Sequence, residues 1–378
     1  MVARGGEGGA EDGTDAAGPD DADPQAGRGS RGLAHEGRTY RVMSRLPLGR
    51  FGGVTSAAPV SPAVPWAQAW GRSLYGERGF YRSDVGPAGH FATATHGATG
   101  RVLARALLRL ARERGCTGGV VDVGAGRGEL LRHLRELDDA VPLLGVDVVD
   151  RPAGLAPDVA WLSSPGGASL PEDLAPRDAL VVAHEWLDVV PCTVAEVDGG
   201  GTLREVLVDP LGGGETLGAP LDGADLSWCA EHWREALDAS AVPGDRVEVG
   251  RSRDAAWADL LGRLDGGLAL AVDYGHRRGS RPPGGTLTAF REGREVSPVA
   301  DGSCDLTAHV AVDSLRADEV LRQRDALHRL GVSGRTPEHG LASRDPASYL
   351  AGLAESGAAG ALLDPTGYGG FWWVLARG

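Results

Sequence analysis

The chain has 378 residues, 42% of them hydrophobic, which is material for one large core or two small ones. Its 52 acidic and 38 basic side chains leave a net charge of −14, which excludes a broad nucleic-acid-binding surface but admits a basic partner. Lysine is absent, so neither a P-loop lysine nor a Schiff-base nucleophile is available.

The four cysteines, Cys116, Cys192, Cys229 and Cys304, form no C-x-x-C pair and read as reduced thiols. The ten histidines include no H-E-x-x-H and no Cys/His cluster, so no metal site is expected. No apolar run approaches the ~18 residues of a spanning helix, and the start of the chain lacks a signal pattern. A soluble, cytoplasmic protein without a membrane span is the expectation.

Residues 1–36 hold little to bury and read as a disordered acidic tail, with 37–378 as the ordered domain. Trp66, Trp70 and Tyr75 suggest a short helix over 66–75. Small residues and hydroxyls follow, through Phe91, Thr93 and His96, which fits either a lid over 66–96 or a packed connection. Apolar spacing predicts a helix over 100–114, ended by Gly115.

The centre of the pattern is Val120-Val121-Asp122-Val123-Gly124-Ala125-Gly126-Arg127-Gly128, followed by a helix with Leu130, Leu131, Leu134 and Leu137 on one face. That is strand, glycine loop, helix, the opening unit of a doubly wound α/β sheet with a nucleotide-like ligand at the strand's carboxyl end. A dinucleotide fingerprint needs glycine where Glu129 stands, which disfavours an NAD(P)-linked oxidoreductase. The D-x-G-x-G-x-G spacing is that of Rossmann-like S-adenosylmethionine (SAM) methyltransferases. A second strand ends at Asp147, where a carboxylate can accept both ribose hydroxyls.

Further strands are predicted over 159–162, 179–183 and 268–274, with a last one over 370–376. The run 179–183 delivers His184, Glu185 and Asp188 to the carboxyl end of the sheet, where chemistry gathers, although carboxylates there can also cap a helix. Residues 192–264 read as an insertion opening with a hairpin, 194–197 and 203–208, and continuing through helical stretches at 228–237 and 253–264. Helices are predicted over 313–330 and 346–355.

From about Gly79 onward the chain resembles the MidA-type SAM-dependent methyltransferases, whose eukaryotic relatives are mitochondrial arginine methyltransferases that assist assembly of respiratory complex I. The resemblance rests on Gly79-Phe80-Tyr81, on 89–96, on the glycine loop, on His184-Glu185-Trp186-Leu187-Asp188-Val189-Val190-Pro191, on Asp273–His276, and on the stretches 285–289 and 305–310. It departs from the family pattern at His90, Thr95, His96 and His184, where the family has carboxylates, a proline and an asparagine.

The resemblance implies a seven-stranded, mostly parallel sheet, SAM as cofactor and a protein side chain, arginine, as methyl acceptor. Gly124, Ala125, Gly126 and Gly128 would line the cofactor, with Asp122 below them, Asp147 on the ribose, and Phe91 and Thr93 closing over it. Glu185 would orient the acceptor nitrogen, with Asp188 and His184 in support. Two rivals stay open: a methyltransferase-fold assembly factor without effective catalysis, and a methyltransferase acting on a small metabolite. The oligomeric state is left open.

Overall fold

The computed structural model describes residues 62–83 and 93–378. The expected acidic tail and Phe91 lie outside the described residues.

Seven strands form the central sheet: β1 Val120–Val123, β2 Leu143–Asp147, β3 Ala160–Ser163, β4 Leu180–His184, β5 Leu268–Asp273, β6 Glu319–Arg322 and β7 Trp372–Ala376. Their order is β3-β2-β1-β4-β5-β7-β6. The first five run parallel, and β7 lies antiparallel between β5 and β6. β1, β4 and β5 are buried along their whole length, because both faces of a parallel sheet are covered.

The alternation of the strands divides the core in two. Val120, Val182, Leu270, Val272 and Trp373 point to one face, Val121, Val181, Ala183, Ala271 and Val374 to the other. The first face is covered by α2 (Gly97–Glu113) and α3 (Glu129–Leu137), through Leu103, Leu107, Leu110, Leu130 and Leu134. The apolar residues of both helices recur at three- and four-residue spacing, so each turns one stripe to the sheet.

A second, five-stranded sheet is built from Val64–Pro65, Thr193–Val197, Leu203–Val208, Glu215–Pro220 and Arg246–Val249. The predicted hairpin is present, with Ala195 opposite Glu205 and Val197 opposite Leu203. α1 (Trp66–Tyr75) packs here: Trp66, Trp70 and Leu74 join Val194, Val206 and Leu306 in one cluster. The short helix predicted over 66–75 is present, and its buried side joins this cluster.

Helix α4 (Gly223–His232) follows the second sheet, and α5 (Arg251–Gly262) then returns the chain to β5. Ala256, Trp257, Leu260 and Leu261 of α5 pack on the second face of the central sheet, so this end of the expected insertion is the β4–β5 crossover helix.

One prediction fails outright. Residues 313–330 do not form one helix: 319–322 are strand β6, paired with β7 from Glu319 opposite Leu375 to Arg322 opposite Trp372, and only Gln323–Arg329 is helical (α6). Val320, Leu321, Ala326 and Leu327 fit either period, and the long-range ladder with β7 decides between them. The last helix, α7 (Pro346–Leu363), starts where predicted, with Asp345 accepting from Ser348 N at 3.1 Å and proline in its first turn, but runs further.

Candidate functional site

The direction of strand order reverses between β1 and β4, and in an open α/β sheet the crevice at that point holds the ligand. The chain leaving β1 turns at once through Gly124, Gly126 and Gly128, with φ of +77°, +56° and +74°. Side chains rarely adopt this left-handed region, so the spacing of the glycines is a backbone requirement. Gly124 N and Ala125 N both donate to Val146 O, at 2.9 and 3.2 Å, which holds the loop against the end of β2.

Asp147 closes β2 and clamps the same loop. Its Oδ2 accepts from Gly126 N at 2.8 Å and its Oδ1 from Val149 N at 3.1 Å. Burial pushes its carboxyl up to about 6, against those backbone hydrogen bonds, which pull it down. Asp122, buried one strand over, is pushed up to about 7 by burial, opposed by His184 and reinforced by Asp147 and Glu129. Burial, more than any neighbouring charge, thus sets the carboxyls of Asp122 in β1 and Asp147 at the end of β2.

Thr93 lies before α2: its backbone N–H donates to His96 Nδ1 at 3.1 Å, and His96 Nε2 stands 3.8 Å from Glu129 Oε1 at the start of α3. The expected cofactor residues other than Phe91 therefore fall on the ends of β1 and β2 and on the amino-terminal sides of α2 and α3. Trp186 flanks the loop: a Cβ added at Gly124 would stand 3.5 Å from the Trp186 Cβ.

The end of β4 supplies the second half of the site. Glu185 has φ +53°, a strained conformation for a non-glycine residue, held by its N–H donating to Val272 O at 2.8 Å. Its Oε1 stands 3.3 Å from His184 Nδ1 and has no hydrogen-bond partner, and His184 Nε2 is also buried without one. Asp188 is buried too: Thr307 Oγ1 donates to its Oδ2 at 2.7 Å, and the Tyr274 hydroxyl donates to the same oxygen. Burial and the neighbouring Glu185 push the Asp188 carboxyl up.

Three further groups at this end were not singled out from sequence. Asp273 ends β5, Asp305 accepts the Tyr81 hydroxyl at 2.7 Å, and Arg253 of α5 is a buried cation among them. Asp273 and Asp305 are both pushed well up by burial and by neighbouring acids. Asp273 stands at the end of a strand that had been recognised, so position alone could have flagged it. Asp305 opens the stretch 305–310 that carries part of the resemblance, but its place at this end, like that of Arg253, is set by long-range packing.

This geometry fits SAM. Left-handed glycines leave the backbone open to a ligand, a carboxylate stands at the end of β2, and positive charge of the kind a sulfonium and an ammonium carry favours the ionised form of the buried carboxyls. Among the described residues, no helix is long and apolar enough to cross a membrane.

Known proteins agree with this reading. Residues 102–333 match a family model described as "Putative S-adenosyl-L-methionine-dependent methyltransferase". The chain is 31% identical over 194 residues to the Danio rerio protein arginine methyltransferase NDUFAF7, mitochondrial, covering 46% of this chain and 42% of that one. It is 29% identical over 178 residues to the Drosophila melanogaster homologue, covering 42% and 36%. It thus spans less than half the length of either relative. In fold it is similar to a Burkholderia thailandensis protein crystallised with S-adenosyl-homocysteine, with a TM-score of 0.62 and 24% identity over 83% of this chain and 87% of that one. With the model matched over more than half its length, the chain belongs to the family of S-adenosyl-L-methionine-dependent methyltransferases.

Proposed function

We propose that this methyltransferase acts on a nitrogen of a protein side chain, arginine, and that Glu185 orients that nitrogen. The observation that carries the reading is Glu185 itself. A carboxylate at the carboxyl end of a central strand is held at φ +53° with Oε1 unpartnered. Strain of that kind costs of order 1–3 kcal/mol and persists where the surroundings impose it. The acidic surroundings favour a cationic acceptor, and the similarity to arginine methyltransferases over part of the chain points the same way.

In this reading Gly124, Ala125, Gly126 and Gly128 line the methionine and ribose of SAM, Asp147 accepts from the ribose hydroxyls, and Asp122 supports the loop from below. Thr93 closes over the cofactor by family resemblance. When bound, SAM supplies a methyl group already activated by its sulfonium. The protein contributes proximity and orientation. Glu185 would accept hydrogen bonds from the acceptor nitrogen and take the proton that the nitrogen loses as it bonds to the methyl carbon, the methyl–sulfur bond breaking to leave neutral S-adenosyl-homocysteine. His184 abuts Glu185, and Asp188 holds the adjoining turn.

Radiolabelled SAM, incubated with the protein and a cell extract, tests this. Label is expected in the protein fraction, as methylarginine after acid hydrolysis, and Glu185→Gln is expected to reduce it by about 100-fold or more, the scale of acid–base catalysis. Label in the low-mass fraction would instead show a small-molecule methyltransferase. SAM binding without any labelled product would show a binding factor.

A further inference from the structure

The ends of β4 and β5 are latched to each other by reciprocal hydrogen bonds. Leu187 N, one residue before Asp188, donates to Asp273 Oδ2 at 3.0 Å. Tyr274, one residue after Asp273, donates its hydroxyl to Asp188 Oδ2. Each aspartate thus commits one oxygen to the protein. The other oxygen of each, Asp188 Oδ1 and Asp273 Oδ1, is buried without a hydrogen-bond partner, as is Glu185 Oε1. Both aspartates are only 2% exposed.

Buried acceptors are rarely left unmade, because the desolvation of each is then uncompensated. Arg253, the one fully buried arginine at this end among the described residues, does not answer them. The Arg253 guanidinium donates to four backbone carbonyls, those of Asp188, Val190, Ala308 and His309, at 2.8 to 3.1 Å. Three oxygens without a hydrogen bond, on three carboxylates, call for a donor with several N–H groups, and only Glu185 Oε1 has an ion-pair neighbour among the described residues, His184 Nδ1 at 3.3 Å. An ammonium offers its donors from a single point, whereas a guanidinium spreads five around a plane and can meet carboxylates on two edges.

We propose that Asp273 is a binding residue of the acceptor site, forming with Asp188 and Glu185 a two-sided carboxylate clamp that selects a guanidinium over an ammonium. The proposal rests on the reading that arginine is the acceptor. Glu185 takes the nitrogen that receives the methyl group, and the latched aspartates hold the other edge of the same plane. Burial and mutual repulsion push both aspartates up, with Glu185, His184, Asp305, Tyr75, Tyr81, Tyr274, His309 and Arg253 as the other titratable or charged groups around them. Positive charge entering between them favours their ionised forms, so binding is expected to release protons wherever either carboxyl is still protonated.

Calorimetry of the full chain saturated with S-adenosyl-homocysteine, titrated with N-acetyl-arginine amide or N-acetyl-lysine amide in two buffers of different ionisation heat, tests it. The wild type is expected to bind the arginine compound at least about tenfold more tightly and to release protons as it does so. Asp273→Asn keeps an acceptor for Leu187 N. It is expected to lose about tenfold in arginine affinity together with the proton release, while its affinity for S-adenosyl-homocysteine stays within about twofold. Unchanged arginine affinity in Asp273→Asn, or a loss shared equally with S-adenosyl-homocysteine, overturns the proposal in favour of a purely structural latch. A wild type that does not bind the arginine compound overturns it too. Binding of the arginine compound without its methylation sinks the catalytic reading and leaves the clamp standing.

Discussion

Asp122 and Asp147 show how single residues trade stability for ligand binding. Both carboxyls are held above their ordinary value by burial, at about 7 and about 6. A raised carboxyl means that the folded chain holds its proton more tightly than the unfolded one, so stability from these groups falls as pH rises through that range. In the proposed reading the ligand needs the opposite state, since ribose hydroxyls and positive charge favour the ionised carboxylate. SAM affinity is therefore expected to climb between about pH 5 and pH 8 and then level off, as read by calorimetry. Asp122→Asn cannot ionise. It is expected to stabilise the free protein by roughly 2–4 kcal/mol at about pH 8, a gain that narrows as pH falls toward 4, while weakening SAM binding. Urea unfolding at two pH values checks the first part, and a variant no more stable than wild type at the higher pH refutes it.

At the scale of elements, what the sequence made legible tracks how local the cause was. The glycine loop and α3 were readable because turn and helix are set within 128–137: Gly128 at φ +74° leads into a helix with leucines on one stripe. β6 was not, because four half-buried residues, Glu319 to Arg322, become a strand only through pairing with β7 far along the chain. The same division runs through the site. His184, Glu185 and Asp188 follow one apolar strand and could be placed in advance, whereas Asp305 and Arg253 reach it through tertiary packing.

Two glycine substitutions test the local part with opposite signs. Gly128→Ala forces a Cβ into the left-handed region and within 2.6 Å of Leu155 Cδ2, and is expected to cost roughly 2 kcal/mol and to misplace the cofactor loop. Gly357→Ala, inside α7 with open space around it, is expected to gain about 0.5–1 kcal/mol. Thermal unfolding of both, side by side, checks the pair. Equal signs would show that loop strain is not what the glycine at 128 relieves.

At the scale of the molecule, one buried side chain ties the central sheet to the structure built on its carboxyl ends. Arg253 sits in α5, the crossover that returns the chain to β5, and is 1% exposed. Its Nε donates to Val190 O and its Nη2 to Asp188 O, both in the exit from β4. Its Nη1 reaches Ala308 O and His309 O, and the guanidinium stands 5.6 Å from the Trp70 ring in α1. Four carbonyls from two separate connections would lose their donor together in Arg253→Met, a change that keeps much of the apolar stem but none of the fork. Removing one side of a buried charged network costs roughly 3–5 kcal/mol, because the groups left behind remain desolvated. The variant is accordingly expected to unfold at a lower urea concentration with an unchanged slope. Its remaining folded fraction should bind arginine compounds more weakly, since Asp188 loses the backbone support that aims its carboxylate. A loss below about 1 kcal/mol would mean that water can replace the guanidinium at these carbonyls, and that the acidic end of the site is held by α1 and the second sheet alone.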